Sequence, residues 1–163
     1  MEELIRLFRR HRSFDELLAA GYVDLGTRPE RVRTYGKQIF LGTADRYLDI
    51  HTTHIGQWLR IREVTAPSLH PDLTDDPDIR PVLVDYSDTF LDPHRALRVT
   101  DVTLYLDEEF TEGRVRGIAF RLEGGGSIVL DPATTAGILL AGEPRRAGIA
   151  EAAGVRAVTI PFG

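Results

Sequence analysis

Residues 99–142 read VTDVTLYLDEEFTEGRVRGIAFRLEGGGSIVLDPATTAGILLAG, and the spacing of their apolar groups decides the fold. Val102, Leu104 and Leu106 alternate with Thr103, Tyr105 and Asp107. A turn over 109–113 leads to Ile118, Phe120 and Leu122, which alternate with Ala119 and Arg121. Gly124, Gly125 and Gly126 return the chain into Ile128 and Leu130, and Asp131-Pro132 precedes Ile138, Leu139 and Leu140. A period of two is that of a half-buried strand. The connections are too short for the crossover that a parallel pair requires, so the stretch is an antiparallel meander. The three glycines lie between strands rather than opening a helix, which makes them a hairpin turn and not a phosphate cradle.

Shorter alternations mark further strands upstream, at Ile39 and Leu41, Leu48 and Ile50, Leu59 and Ile61, and Val82 and Val84. Downstream, a short helix is expected after Pro144, and Val155 to Phe162 reads as a last strand. The first twenty residues have a different pattern. Leu4, Ile5, Leu7 and Phe8 form a compact stripe, with Glu2 and Glu3 ahead of it and Arg9 to Arg12 behind, an order that complements a helix dipole. Ser13 and Glu16 have the spacing of a capping box before Leu17 and Leu18, and Gly21 suits a helix end. Helices are therefore expected over 2–11 and 14–20. The expected fold is a single α+β domain over 1–163, with two short N-terminal helices packed on a mainly antiparallel, meander-type β-sheet.

Composition narrows the chemistry. A chain of 163 residues with 42% hydrophobic and 28% charged side chains is long enough to bury a core and is ordinary for a soluble globular protein. The absence of cysteine excludes disulfides, thiolate metal sites and a cysteine nucleophile. The N-terminal segment lacks the charge order and unbroken apolar run of a signal peptide, and no window is apolar enough to span a bilayer, so a cytoplasmic location is expected. Lys37 is the one lysine among the basic residues, a bias that a GC-rich bacterial genome would produce as readily as selection for bidentate binding. No cofactor motif is present, and no cofactor is expected.

Charge is unevenly placed. Residues 1–62 carry a net +3 and residues 95–163 a net −1, whereas residues 63–94 carry −7, which brings the chain to −5. That balance argues against nucleic acid, whose sequence-independent binding depends on neutralising phosphates. The acidic stretch includes a long loop at about 66–81, rich in proline and aspartate. Its acids do not have the calcium-loop pattern: Pro77 stands where a glycine is needed, and no terminal glutamate follows. Asp72, Asp75, Asp76, Asp78, Asp85 and Asp88 are therefore candidate partner-binding residues, suited to a basic surface.

Two other groups carry possible chemistry. Asp49, His51 and His54 are ligand types for zinc, iron or manganese, and would make the chain a metal-dependent enzyme if they converged. On a strand, Asp49 and His51 share a face while His54 falls on the other, so convergence requires a turn between them. Arg114, Arg116 and Arg121 are expected to pair with Asp107, Glu108 and Glu109 across the hairpin, and Trp58, Arg60 and Arg62 form a row on one strand face. No nucleophile elbow is present for serine catalysis.

The 99–142 meander resembles that of small bacterial α+β proteins, including the immunity proteins of toxin systems. The resemblance implies a cytosolic, non-enzymatic inhibitor whose partner is a protein, in that setting a cognate toxin. It carries no functional residue across. With the charge layout, it leads to the expectation of a protein-binding or inhibitory chain that uses its acidic segment, with the metal-dependent enzyme as the alternative.

Overall fold

The computed structural model describes residues 16–17, 19–24, 35–36, 38–43, 46–53, 58–71, 82–85, 97–109, 114–123, 125–134 and 137–162. Its elements in chain order are β1 (Glu16–Leu17), β2 (Ala19–Asp24), β3 (Tyr35–Gly36), β4 (Gln38–Gly42), β5 (Tyr47–Thr53), β6 (Trp58–Val64) and β7 (Val82–Asp85). There follow β8 (Leu97–Asp107), β9 (Val115–Leu122), β10 (Ser127–Thr134), β11 (Gly137–Ala141), α1 (Glu143–Ala150) and β12 (Val155–Pro161). All the strand pairings are antiparallel.

Strands β8 to β11 form the meander, with β12 along the free side of β8 and β3 beyond β11. A second run, β6-β5-β4-β2-β7, joins the meander through one register pair, Leu59 opposite Val115. On the same edge of β9, β10 pairs with Ile118 to Arg121, so the sheet divides there into two halves. The halves share one apolar interior. Ile39, Leu41, Leu48, Ile50 and Leu59 come from one side, and Val102, Leu104, Ile118, Phe120, Leu130 and Ile160 from the other. Alternation along each strand sends these residues inward, and their burial removes from water a surface that neither half covers alone.

The outer face of the meander is covered by α1. Ile149 packs there against Tyr105, Ala119 and Val129, and Arg146 Nε donates to the Tyr105 hydroxyl at 3.3 Å. Gly117 allows the close approach, since a Cβ at that position would stand 3.3 Å from Ile149 Cδ1. The β9–β10 turn uses Gly125 at φ 98°, a conformation that other residues rarely adopt.

Two N-terminal helices on a sheet are not what the chain forms. Of the residues expected as the second helix, 14–20, those described lie instead in strands, Glu16 and Leu17 in β1 and Ala19 and Ala20 in β2. Glu16 pairs with Arg98, and Ala19 to Tyr22 pair with β4. Gly21 is not a helix end but sits in mid-strand, opposite Phe40 on one side and Asp85 on the other. Local capping and leucine-rich propensity favoured a helix, but hydrogen bonding to strands on both sides outweighs a propensity of a few tenths of a kcal/mol per residue. The first expected helix, 2–11, lies outside the described residues. The α+β assignment gives way to a predominantly antiparallel β architecture with one short helix, α1, among the described residues. None of the helices described is long and apolar enough to cross a membrane.

Candidate functional site

The outer face of β4, β5 and β6 carries a buried polar cluster. Leu48 and Ile50 point into the core, so Asp49 and His51 point out of it, both buried. Register places Asp49 beside Arg62 of β6, and His51 between Gln38 of β4 and Arg60 of β6. Gln38 Nε2 donates to Asp49 Oδ1 at 2.7 Å, and Arg62 Nε donates to Asp49 Oδ2 at 2.6 Å. Burial pushes the Asp49 carboxyl up, but the His51 ring, the Gln38 amide and the Arg62 guanidinium together outweigh it and hold the group below the usual carboxylate range.

Segment 65–71 covers this face. Gln38 Nε2 also donates to the Ser68 carbonyl at 3.1 Å, while Gln38 Oε1 accepts from the His70 amide at 3.1 Å. The His70 ring rests on that of His51, centroids 4.5 Å apart and planes tilted by 41°. One fully buried amide therefore fastens the segment to the sheet and, with the same side chain, holds the Asp49 carboxylate. Replacing Gln38 by alanine should release this latch. The His70 amide is expected to exchange about tenfold faster by NMR, the equivalent of one lost hydrogen bond, with β9 amides unchanged. Unaltered exchange at His70 would show that Gln38 does not hold the segment.

Of the candidate metal ligands, Asp49 and His51 lie among the described residues. Asp49 and His51 do share a face, but both carboxylate oxygens are taken by donors, and the Arg62 charge stands where a cation would approach. His51 Nδ1 lies 3.9 Å from Asp49 Oδ1, beyond hydrogen-bond range, and has no hydrogen-bond partner. His54 lies outside the described residues. Among those described, no group of three or more histidine, aspartate or glutamate side chains is placed to hold a metal ion. The His70 ring lies over the pair.

Of the candidate partner-binding acids, Asp85 is the last residue of β7, paired with Gly21. Asp72, Asp75, Asp76, Asp78 and Asp88 lie outside the described residues. In sequence the first four fall between Ser68 and His70, which Gln38 holds, and Val82, where β7 begins its pairing with β2.

A second cluster stands where β6, β8 and β9 meet. Asp107, buried at the end of β8, accepts from Trp58 Nε1 at 3.4 Å, from the Glu109 amide at 3.1 Å and from Arg116 at 3.4 Å. Desolvation pushes this carboxyl up, but the Glu109 amide, the indole and Arg116 bring it below the usual range. The Arg114 guanidinium lies over the Trp58 ring, 4.1 Å from its centroid. The Arg116–Asp107 pair is the cross-strand contact expected of the hairpin, whereas Arg121 pairs with Asp101, at 3.2 Å. Arg121 is too far from the turn to reach Asp107, because the antiparallel register sets it opposite Asp101.

Sequence reasoning missed Gln38 and the His70 amide as a latch. The available signal was register: once β4, β5 and β6 are aligned, Gln38, His51 and Arg60 form one row and Asp49 faces Arg62. No family model, curated protein or solved structure matches this chain.

Proposed function

We propose that this chain is a non-enzymatic, cytosolic binding protein of the inhibitory kind that immunity proteins represent, and that it meets a basic protein partner through its acidic segment 63–94. The observation that supports this reading is the anchoring of that segment on both sides of residues 72–81. Gln38 fastens Ser68 and His70 before them, and β7 is paired into the sheet after them. Asp72, Asp75, Asp76 and Asp78 fall between these fixed points. Anchoring the ends of a binding segment lowers the ordering entropy lost on association, and concentrated like charge speeds encounter with a surface of opposite sign. A toxin with a basic active site is a partner of this chemistry.

The test is charge reversal. Asp75→Lys, Asp76→Lys and Asp78→Lys together should abolish capture of a basic protein that the native chain retains from its source cell. Association with that protein, once purified, should slow by about tenfold or more at low salt and by less at high salt. Equal capture and equal association rates for both chains would sink the proposal.

A further inference from the structure

Beyond β8 the sheet ends on β12, and the edge that β12 presents there is open. β12 pairs with β8 over all 7 of its residues, Val155 to Pro161, with no shift of register. At the two ends of this pairing the Glu108 amide donates to the Gly154 carbonyl at 2.8 Å, and the Phe162 amide to the Thr100 carbonyl at 2.9 Å. Hydrogen bonding alternates along an antiparallel pair, so Arg156, Val158 and Ile160 are the residues that bond to β8. The backbone N–H and C=O groups of Val155, Ala157 and Thr159 are turned the other way. No strand among the described residues pairs with that side, and Ala157 and Thr159 are exposed. Pro161 has the same outward phase, where a missing N–H costs the ladder to β8 nothing.

Open edges are templates for pairing, and proteins commonly shorten, bulge or charge them. The two ends of the main strand path are short, with 2 residues in β3 and 4 in β7. β12 is longer, runs without a bulge and carries one charged side chain, Arg156. The groups it offers alternate as donor and acceptor at the spacing of an extended chain. Their complement is another strand edge rather than a nucleic acid or a small ligand.

β12 is its own complement. Turned about a two-fold axis through Ala157, it sets Val155 opposite Thr159 of a second copy, and Ala157 opposite its own counterpart. In that register the outward N–H and C=O groups of all three residues pair with one another, and Pro161 stays outside the ladder. An axis through Val158 brings Pro161 opposite Val155, whose carbonyl then meets no donor. An axis through Arg156 sets two guanidiniums against each other, which opposes pairing. We infer that β12 is a dimerisation edge, on which a second copy of this chain adds its own β12 antiparallel and continues the sheet across a two-fold axis. The inference does not depend on the role proposed for residues 63–94.

Sedimentation equilibrium of the intact protein, from about 10 µM to about 1 mM, tests this. The expected result is a mass that rises with concentration from one chain toward two. Ala157→Pro removes an outward N–H and leaves the ladder to β8 in place, so it should raise the dimer Kd about tenfold or more with an unchanged circular dichroism spectrum. Ala157→Lys sets like charges across the axis from an exposed position, and should weaken the dimer similarly if the proline variant folds poorly. The chain has no cysteine, which allows a second readout. Residues opposed in such a pair lie about 5.5 Å apart at Cα, within reach of a disulfide, so oxidation should link two copies of Ala157→Cys. Arg60→Cys, at an exposed position on β6, should stay single. The inference is overturned by a single-chain mass up to about 1 mM, by a dimer that both Ala157 variants leave unchanged, or by Arg60→Cys linking as fast as Ala157→Cys. A chain that stays monomeric yet retains an unrelated extended peptide would assign the edge to a foreign strand and overturn it equally.

Discussion

Replacing Phe120 by alanine is expected to lower the unfolding free energy by about 4 kcal/mol, the largest single effect in the molecule. Phe120 is fully buried in the middle of β9, opposite Val102 of β8 and Ile128 of β10. Its ring belongs to the interior shared by both halves of the sheet. Three strands held by their ladder hydrogen bonds cannot close over the space that the ring leaves, so the cost includes the cavity as well as the lost transfer energy. Urea denaturation followed by far-ultraviolet circular dichroism measures it. Phe120→Leu, which retains most of the volume, should cost less than about 1.5 kcal/mol. A loss below that figure for the alanine variant would mean that Phe120 does not lie in a closed interior.

Asp49→Ala is the second large effect, expected at about 3 kcal/mol. Asp49 is fully buried, and its removal leaves the equally buried Gln38 without one of its acceptors. Arg62, half exposed, can turn to water, which keeps the loss toward the lower end for a broken buried pair. The effect depends on pH in a definite direction. A carboxyl held below its usual pKa by the fold stabilises the native state above about pH 4, the unfolded value, and that stabilisation is lost as pH falls further through the folded value. The gap between the native chain and Asp49→Asn should therefore be constant near neutrality and shrink below about pH 4. A gap that persists at pH 2 would assign the role of Asp49 to packing rather than to its charge.

The meander was legible in the sequence because each of its strands has one face in the core and one outside. Alternation at Val102, Leu104 and Leu106 or at Ile118, Phe120 and Leu122 carries that asymmetry directly. The segment around Glu16 to Asp24 was not legible for the opposite reason. Ser13, Glu16, Leu17 and Leu18 are compatible with a helix, and only the strands that flank β2, β4 and β7, impose the extended form. The candidate site was half legible. Strand alternation brings Asp49 and His51 to one face, but nothing near them in sequence announces that Gln38, Arg62 and the His70 amide complete the cluster.

By itself, the sequence determined the antiparallel pairing of residues 99–142, the absence of thiol chemistry and the concentration of negative charge in residues 63–94. These follow from local spacing and from composition, which need no partner strand to be read. Tertiary structure alone decided that the chain near Glu16 is strand, that Gln38 ties the Asp49 carboxylate to the backbone of Ser68 and His70, and that Arg116 rather than Arg121 meets Asp107. Each of those outcomes depends on which strands lie side by side and in what register, and that is settled by burial of the common core rather than by any residue's own preference.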